Sequence, residues 1–296
     1  MIKIASPSAT EAIRSGCHRR SARDNEAMPA VSQALREFAN HHRPRPAPGI
    51  EVVDTPRYVI TVQPDFPLPG PNSVSYVRCS SSDAGEVIRE ARAVFAARHL
   101  PVMWVLDPET EPADFADHLA ANGVGPDPRA PRVDVLALPV DARIEATRVD
   151  GLEIRDALAD PSTFRLADAV AAMAFTGSPL PDDPWLVAAQ ERRRLNGLAS
   201  GNRRHLLALV EGEPAGASGM NLFPPGGAII NGGAVLPRFR GRGVYRAMVA
   251  RRLEIAREAG VAGLGVWGAP TSAPILARLG FEVVGWRKFY LDAPTS

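Results

Sequence analysis

Apolar positions along the chain follow two periods, and the changes between them divide it into helices and strands. Apolar residues three and four apart predict helices at 83–99, 112–122, 161–174, 184–199, 244–259 and 274–279. Short apolar runs between turn residues predict strands at 58–62, 74–79, 102–106, 133–138, 152–156, 205–211, 215–222, 228–235, 261–267 and 281–291. Tight turns join three of these strands and predict an antiparallel meander. We therefore expect an α/β (α+β) fold, in which helices flank a mixed, mostly antiparallel sheet.

The length of 296 residues exceeds the usual size of one domain and favours two. We expect residues 50–147 to form one α/β domain and residues 148–296 a second. Residues 1–49 are expected to be a poorly structured extension and arm. A short helical pattern runs through 29–40, and alternate prolines in 41–49 favour an extended segment.

One stretch carries the clearest chemistry: the turn between the strand at 228–235 and the helix at 244–259. It contains two glycines and three arginines, namely Arg238, Arg240, Gly241, Arg242 and Gly243. A helix begins with backbone N–H groups that have no partner, and its dipole favours negative charge there. Glycine lets such a backbone approach a phosphate closely, because no Cβ obstructs it. The sequence therefore predicts a phosphate-binding turn.

The order Val235-x-Pro237-x-x-Arg240-Gly241-x-Gly243 resembles the pyrophosphate-binding motif of the GNAT-type N-acyltransferases, and the resemblance extends over residues 151–291. It implies a GNAT-like fold and acetyl-CoA, or another acyl-CoA, as co-substrate. Tyr245 stands where the family usually has Gly or Ala. The resemblance also implies coenzyme contacts at Ala234, Val235, Arg240, Gly241, Arg242, Gly243, Val244, Tyr245 and Arg246. Two adjacent glycines, Gly232 and Gly233, suit a bulge that opens a gap for the pantetheine.

A weak internal repeat supports a tandem arrangement. The segments 79–123 and 235–280 share the order strand end, helix, buried strand, loop, short helix and glycine. Ser80-Ser81-Ser82-Asp83 stands where the glycine turn would be. We interpret residues 50–147 as a degenerate GNAT-like copy without a phosphate loop, and an unrelated α/β domain remains the alternative.

The resemblance does not supply all the groups that acyl transfer needs. The family often has a tyrosine that protonates the departing thiolate, and Leu276 occupies that position here. Ser272 and Tyr290 are the candidates that replace it. Asp182 and Asp183 lie in a loop that commonly covers the acceptor site, and Trp267 is a candidate for lining it. The family often carries a base on the strand at 228–235. Asn231 lies on that strand here, and its amide cannot act as a base.

Composition narrows the function classes. The net charge of +1 provides no global field for nucleic acid or membranes, and no run of eighteen apolar residues predicts a span. Lys3 and Lys288 are the only lysines, so a Walker A loop is absent and a pyridoxal enzyme is disfavoured. Two cysteines, Cys17 and Cys79, do not make a disulfide framework or a cysteine-rich metal site. We expect a cytoplasmic protein without a metal.

Three functions compete. The first is an acyl-CoA-dependent N-acetyltransferase that transfers the acyl group directly to a primary amine of a small molecule or peptide, as a monomer or homodimer. The second is a non-catalytic acyl-CoA-binding sensor or regulatory protein, favoured by the missing tyrosine and base. The third, a dinucleotide-binding oxidoreductase, is weak, because Arg246 occupies the third glycine position of that fingerprint.

Overall fold

The computed structural model describes residues 29–145 and 148–292. Seven helices and twelve strands occupy the described ranges. The helices are α1 Gln33–His41, α2 Ala84–Ala96, α3 Phe115–Ala121, α4 Pro161–Thr176, α5 Pro184–Ser200, α6 Val244–Glu258 and α7 Ala273–Arg278. The strands are β1 Glu51–Asp54, β2 Val59–Val62, β3 Ser73–Ser75, β4 Val102–Leu106, β5 Gly125–Pro126, β6 Arg132–Pro139, β7 Leu152–Asp156, β8 Arg203–Val210, β9 Glu213–Phe223, β10 Gly227–Val235, β11 Gly263–Gly268 and β12 Glu282–Asp292.

All twelve strands belong to one sheet, ordered β1-β2-β3-β4-β12-β6-β11-β10-β9-β8-β7, with β5 beside β12. Two neighbouring pairs in it, β3–β4 and β10–β11, are parallel, and the other pairs are antiparallel. The expected fold class, a mixed and mostly antiparallel sheet flanked by helices, is confirmed. None of the helices in the described ranges has the length and apolar character needed to cross a membrane.

The two halves of the chain exchange strands at the centre of the sheet. β6 pairs with β11 of the C-terminal half, and β12 pairs with β4 of the N-terminal half. β6 and β12 also pair with each other, so that equivalent strands lie on both sides of this central pair. A split of the sheet between residues 147 and 148 would therefore leave a strand of each half inside the other. The boundary itself stays a prediction, because residues 146–147 lie outside the described residues.

β6 suits a central position because both of its faces are apolar. Val135 and Ala137 pack toward α1, whereas Leu136 and Leu138 belong to the core beneath α6 and α7. A strand that alternated apolar and polar residues would expose one face to water, whereas a continuous apolar run requires cover on both sides. β12 supplies the other central strand and reaches the second core at Tyr290, under α2 and α3.

α1 corrects the expectation of a poorly structured extension over residues 1–49. Ser32 Oγ accepts a hydrogen bond from the Leu35 amide at 3.2 Å and caps the helix. Leu35 and Ala39 are buried against β6. Asn40 Nδ2 donates to the Val284 carbonyl of β12 at 3.0 Å, and its own carbonyl accepts from Arg287. Residues 1–28 lie outside the described residues.

Glycines in the sheet allow α1 to approach it closely. A Cβ at Gly263 would lie 2.5 Å from Leu35 Cδ2, which real side chains do not tolerate. A Cβ at Gly265 would lie 3.4 Å from that of Ala39. α1 therefore packs directly over β11, beside the central strand pair. This places it next to the point where β10 and β11 separate.

His42, directly after α1, leads us to predict a loss of stability in acid. The His42 ring packs against that of Phe223 at a tilt of 46°, with 3.8 Å between ring centroids. Burial, assisted by the charge of Arg45, lowers the pKa of His42 to about 4. The unfolded chain binds a proton near pH 6.5 and the native state does not, so stability should fall as the pH drops from 6.5 toward 4. Since His42 is partly exposed, we expect a loss of about 1 kcal/mol from this group.

Urea unfolding at pH 7 and pH 4 measures that loss. In His42→Gln the difference between the two pH values should shrink by about 1 kcal/mol. The same substitution at His99, an exposed residue after α2, is the control. An unchanged pH difference in His42→Gln would contradict the prediction.

Candidate functional site

The turn predicted to bind phosphate joins β10 to α6. Gly241 and Gly243 both adopt the left-handed conformation, with φ of +75° and +89°. Gly243 is the N-cap of α6, and no side chain caps the helix. A Cβ at Gly241 would meet no atom within 4 Å, so space is open in front of the turn. The first amides of α6 therefore face an uncovered site, as an anion requires.

The arginines of the turn have different partners. Arg238 forms an exposed ion pair with Glu213 at 2.8 Å. Arg240 donates from Nε to the Val235 carbonyl at 3.1 Å, which ties the turn to the end of β10. Arg242 lies over the Phe239 ring at 5.3 Å. Among the described residues, Arg240 and Arg242 have no carboxylate partner, so their charges are available to a ligand.

β10 separates from β11 after Ile229, in the stretch that leads to this turn. The two strands pair only at Ala228–Leu264 and Ile229–Gly265. β10 then continues along β9 to Val235, with a register shift between Asn231 and Ala234. The predicted bulge at Gly232 and Gly233 is thus confirmed. The gap between the strands leaves one edge of β10 unpaired and leads toward the glycine turn.

Of the residues expected to contact the coenzyme, Ala234 and Val235 lie at the end of the diverging strand and are buried. Val244 and Tyr245 begin α6 and pack into the core beneath the sheet. Arg246 donates from Nη1 to the Glu145 carbonyl at 3.5 Å. These residues surround the glycine turn and the adjacent end of the gap between β10 and β11.

The structure separates the two candidates for protonating the thiolate. Ser272 precedes α7, and its Oγ donates to the Ala269 carbonyl at 3.2 Å. Tyr290 lies on β12 opposite Trp104, within the core of the N-terminal half. Strand exchange thus packs Tyr290 against the other core, and its role as the donor of a proton to the thiolate stays a prediction. Leu276 is fully buried and offers no replacement.

The candidates for the acceptor side lie on different elements. Asp183 caps α5, where its carboxylate accepts from the Trp185 amide at 2.8 Å. Asp182 is an exposed neighbour in the same loop. Trp267 ends β11 beyond the point of separation, 45% exposed, with its ring 5.8 Å from that of Phe289. No hydrogen bond or ion pair between described residues joins Trp267 to either aspartate.

A polar cluster that the sequence analysis missed lies on the face of the sheet covered by α4 and α5. Asp168 of α4 is 8% exposed and accepts from Gln190 at 3.0 Å and from Arg193. His205 of β8 lies beside it, with Nε2 3.7 Å from Asp168 Oδ1. Burial lowers the pKa of His205, and the Asp168 charge opposes that shift. His205 is thus held neutral near neutral pH.

This cluster is close to the gap because of strand register. His205 pairs with Gly219 on β9, and Gly219 pairs with Asn231 on β10. Neighbouring strands are about 4.8 Å apart, so His205 lies about 10 Å from the bulge. Gly219 has no side chain, and the Asn231 carboxamide extends over it. The sequence offered only a weak signal for His205, because it follows Arg203 and Arg204 at the start of the apolar run of β8.

Comparisons with known proteins identify a family for part of the chain and a shared fold for most of it. Residues 171–281 match the family model described as Acetyltransferase (GNAT) family. No curated protein matches the chain. A GCN5-related N-acetyltransferase from Kribbella flavida is similar over 90% of this chain and 98% of its own, with a TM-score of 0.60 and 17% identity.

Two other solved structures share the fold. A functionally unknown conserved protein from Staphylococcus epidermidis gives a TM-score of 0.62 at 16% identity, over 83% of this chain and 95% of its own. A tandem GNAT protein from the clavulanic acid biosynthesis pathway gives 0.55 at 14% identity, over 92% of each chain. The last similarity extends the shared fold to both halves of the chain.

Proposed function

Since residues 171–281 form a domain of the acetyltransferase (GNAT) family, we propose that the chain transfers an acetyl group from acetyl-CoA to a primary amine. The observation that carries the proposal is the open glycine turn at the start of α6, directly after β10 diverges from β11. A phosphate site followed by an open strand edge suits a ligand with a diphosphate at one end and an amide-containing arm.

The described residues fit such a ligand. The Arg240 amide donates to the Pro237 carbonyl at 3.2 Å, whereas no side chain caps the first amides of α6 and a Cβ at Gly241 would meet no atom within 4 Å. The amides from Gly241 to Arg246 would hold the pyrophosphate. The unpaired edge of β10 near Ala234 and Val235 offers backbone groups to the pantetheine. The thioester supplies an activated acyl carbon. All other functions in the transfer fall to residues of this chain.

The amine must be neutral to attack, and an alkyl ammonium is protonated near pH 7. We assign the base to His205, acting through water, because burial lowers its pKa and keeps the ring neutral, while the Asp168 carboxylate lies 3.7 Å from its Nε2 and favours the uptake of a proton. Asn231, on the next strand but one, orients that water across Gly219. Asp182, Asp183 and Trp267 remain proposals for the rim of the acceptor site.

The N-terminal half covers this side of the sheet. Asp65 pairs with Arg192 of α5 at 2.7 Å, and Phe66 lies 4.4 Å from the Arg193 guanidinium. The segment Ser80–Asp83 before α2 has no glycine. The N-terminal half therefore shapes the acceptor site and holds no coenzyme of its own.

Two measurements test the proposal. Calorimetric titration with acetyl-CoA should give one site per chain, and two equivalent sites would contradict the degenerate N-terminal copy. Incubation with acetyl-CoA and a panel of polyamines, aminoglycosides, amino acids and peptides should release free thiol with at least one acceptor. Because Leu276 stands at the position of the family's tyrosine, binding without any turnover would instead favour the non-catalytic sensor.

A further inference from the structure

Arg252 is an arginine of α6 buried beneath the sheet. It is 1% exposed. Its Nε donates to the Met248 carbonyl at 3.1 Å and its Nη1 to the Gly219 carbonyl at 3.4 Å. Its Nη2 is buried and has no hydrogen-bond partner within 3.5 Å in the described part of the chain, although the Tyr245 phenol is near enough to raise the pKa of the guanidinium. A charged nitrogen without a partner is costly in a protein interior, so it calls for an explanation.

The charge of Arg252 also lacks a counter-ion. Arg78, by contrast, lies against Asp107, and Arg193 lies against Asp168. No carboxylate of the described residues forms an ion pair with Arg252. Burial lowers the pKa of Arg252 to about 10, which leaves the guanidinium charged at neutral pH. The site therefore keeps an uncompensated positive charge away from water.

The position of that charge is the bulge of β10. A Cβ at Gly233 would lie 3.5 Å from Arg252 Nη2, 3.0 Å from Tyr245 Cε2 and 3.7 Å from the Tyr245 hydroxyl. The guanidinium and the phenol therefore meet directly beneath the bulge. A residue larger than glycine would close this contact between the gap and the two polar groups.

The distance along α6 indicates which end of the coenzyme Arg252 faces. Arg252 is eight residues beyond Val244, or about 12 Å along the helix axis. The glycine turn that suits the pyrophosphate is at the start of the helix. Arg252 accordingly lies under the part of the gap that the thioester end of the pantetheine would reach.

The same core contains Leu276, which stands at the position of the family's tyrosine and has no hydroxyl. Leu276 is fully buried in it, and Tyr245 packs against it from α6. Tyr245 is also the residue that departs from the small side chain usual at its position. One helix thus provides a phenol where the neighbouring helix does not.

We infer that Tyr245 and Arg252 together stabilise the thiolate of coenzyme A as it departs, an inference that rests on the proposed function. In the transfer the amine nitrogen forms a bond to the acyl carbon and the C–S bond breaks. The ammonium proton has passed through water to His205 before the attack, and the electron pair of the C–S bond leaves with the sulfur. The nitrogen, which carries a positive charge once it is acylated, releases its second proton to solvent. The hydroxyl of Tyr245 and Nη2 of Arg252 donate hydrogen bonds to the sulfur, which later takes a proton from solvent. A fixed charge in a dry site stabilises such an anion strongly.

Binding of coenzyme A alone provides a test without turnover. A thiol beside an arginine loses its proton more readily. At pH 8 the wild type should bind CoA about tenfold more tightly than desulfo-CoA, in which hydrogen replaces the thiol. Calorimetry in two buffers of different ionisation enthalpy should show that CoA, and not desulfo-CoA, releases a proton on binding.

Tyr245→Phe removes only the hydroxyl, and Arg252→Met removes the charge. In both variants the preference for CoA and the proton release should diminish, while desulfo-CoA affinity stays within about twofold. Arg251→Met is the matched control, because Arg251 is the adjacent residue on α6 and makes exposed ion pairs with Glu254 and Glu258. It should behave as the wild type. Thermal unfolding reports any loss of fold in Arg252→Met, in which case Tyr245→Phe decides alone.

The outcomes separate the two proposals. If the wild type binds CoA and desulfo-CoA equally without proton release, the role of Tyr245 and Arg252 is wrong and the proposed function stands. Full preference for CoA in Tyr245→Phe would likewise exclude the phenol. If the wild type binds neither compound, the proposed function itself fails.

Discussion

Gly243→Asp is expected to weaken the binding of CoA by about 100-fold or more while the fold is retained. Gly243 has a φ of +89°, which a side chain makes unfavourable by about 1–2 kcal/mol. It is also the N-cap of α6, so the new carboxylate would lie where the pyrophosphate is expected. The carboxylate would accept from the same amides and repel the ligand, whose binding those amides and the helix dipole favour.

Isothermal titration of CoA into both proteins measures this effect, with circular dichroism as the check on folding. Gly260→Asp is the matched control. Gly260 follows the other end of α6 and has a φ of +65°, and a Cβ there would meet no atom within 4 Å. It should show a similar loss of stability with wild-type affinity. Equal affinities in the two variants would remove the glycine turn from the site.

The second large effect concerns the base. His205→Gln should lower kcat at saturating amine by about 100-fold, within the usual range for general acid–base catalysis. The affinity for CoA should stay within about twofold, because His205 lies on β8 and the coenzyme site on the other side of β9. Steady-state kinetics with the acceptor found in the screen, together with CoA titration, separates the two effects. His99→Gln again serves as the control.

The dependence of kcat on pH distinguishes a catalytic base from a residue with a purely structural role. Only the neutral ring accepts a proton, so kcat should fall as the pH drops through the lowered pKa of His205. Asp168 raises that pKa and Arg193 lowers it. Asp168→Asn should therefore move the acid limb to still lower pH and reduce kcat. A limb that stays in place in His205→Gln would exclude this residue as the base.

Most helices and strands were predictable because each depends on a local pattern. The meander from β8 to β10, the bulge at Gly232–Gly233 and the turn before α6 all lie within one contiguous stretch. The short edge strand β1 was missed, because it is largely exposed and lacks an apolar run. α1 was underestimated because its stability comes from the glycine-lined sheet beneath it, which lies far away in the sequence.

The parts of the site that depend on distant residues were not predictable in the same way. Tyr290 was a candidate proton donor from the last strand, and only the structure shows that strand exchange packs it against the other core. His205 and Asp168 are 37 residues apart in the sequence. They meet only where α4 packs on β8. Arg252 lay unnoticed within the apolar arc of α6, although a charge at that position was the signal of a buried polar group.

Local sequence was enough to specify the chemistry of the turn before α6: a strand, two glycines and a helix that expose backbone amides. That information is local because glycine, the arginines and the helix start act within a few residues of one another. Which strands of the two halves are neighbours, and therefore which side chains face the gap, became visible only in the folded chain. Pairing across a sheet depends on register and burial over the whole chain, and each strand's own pattern is compatible with several partners.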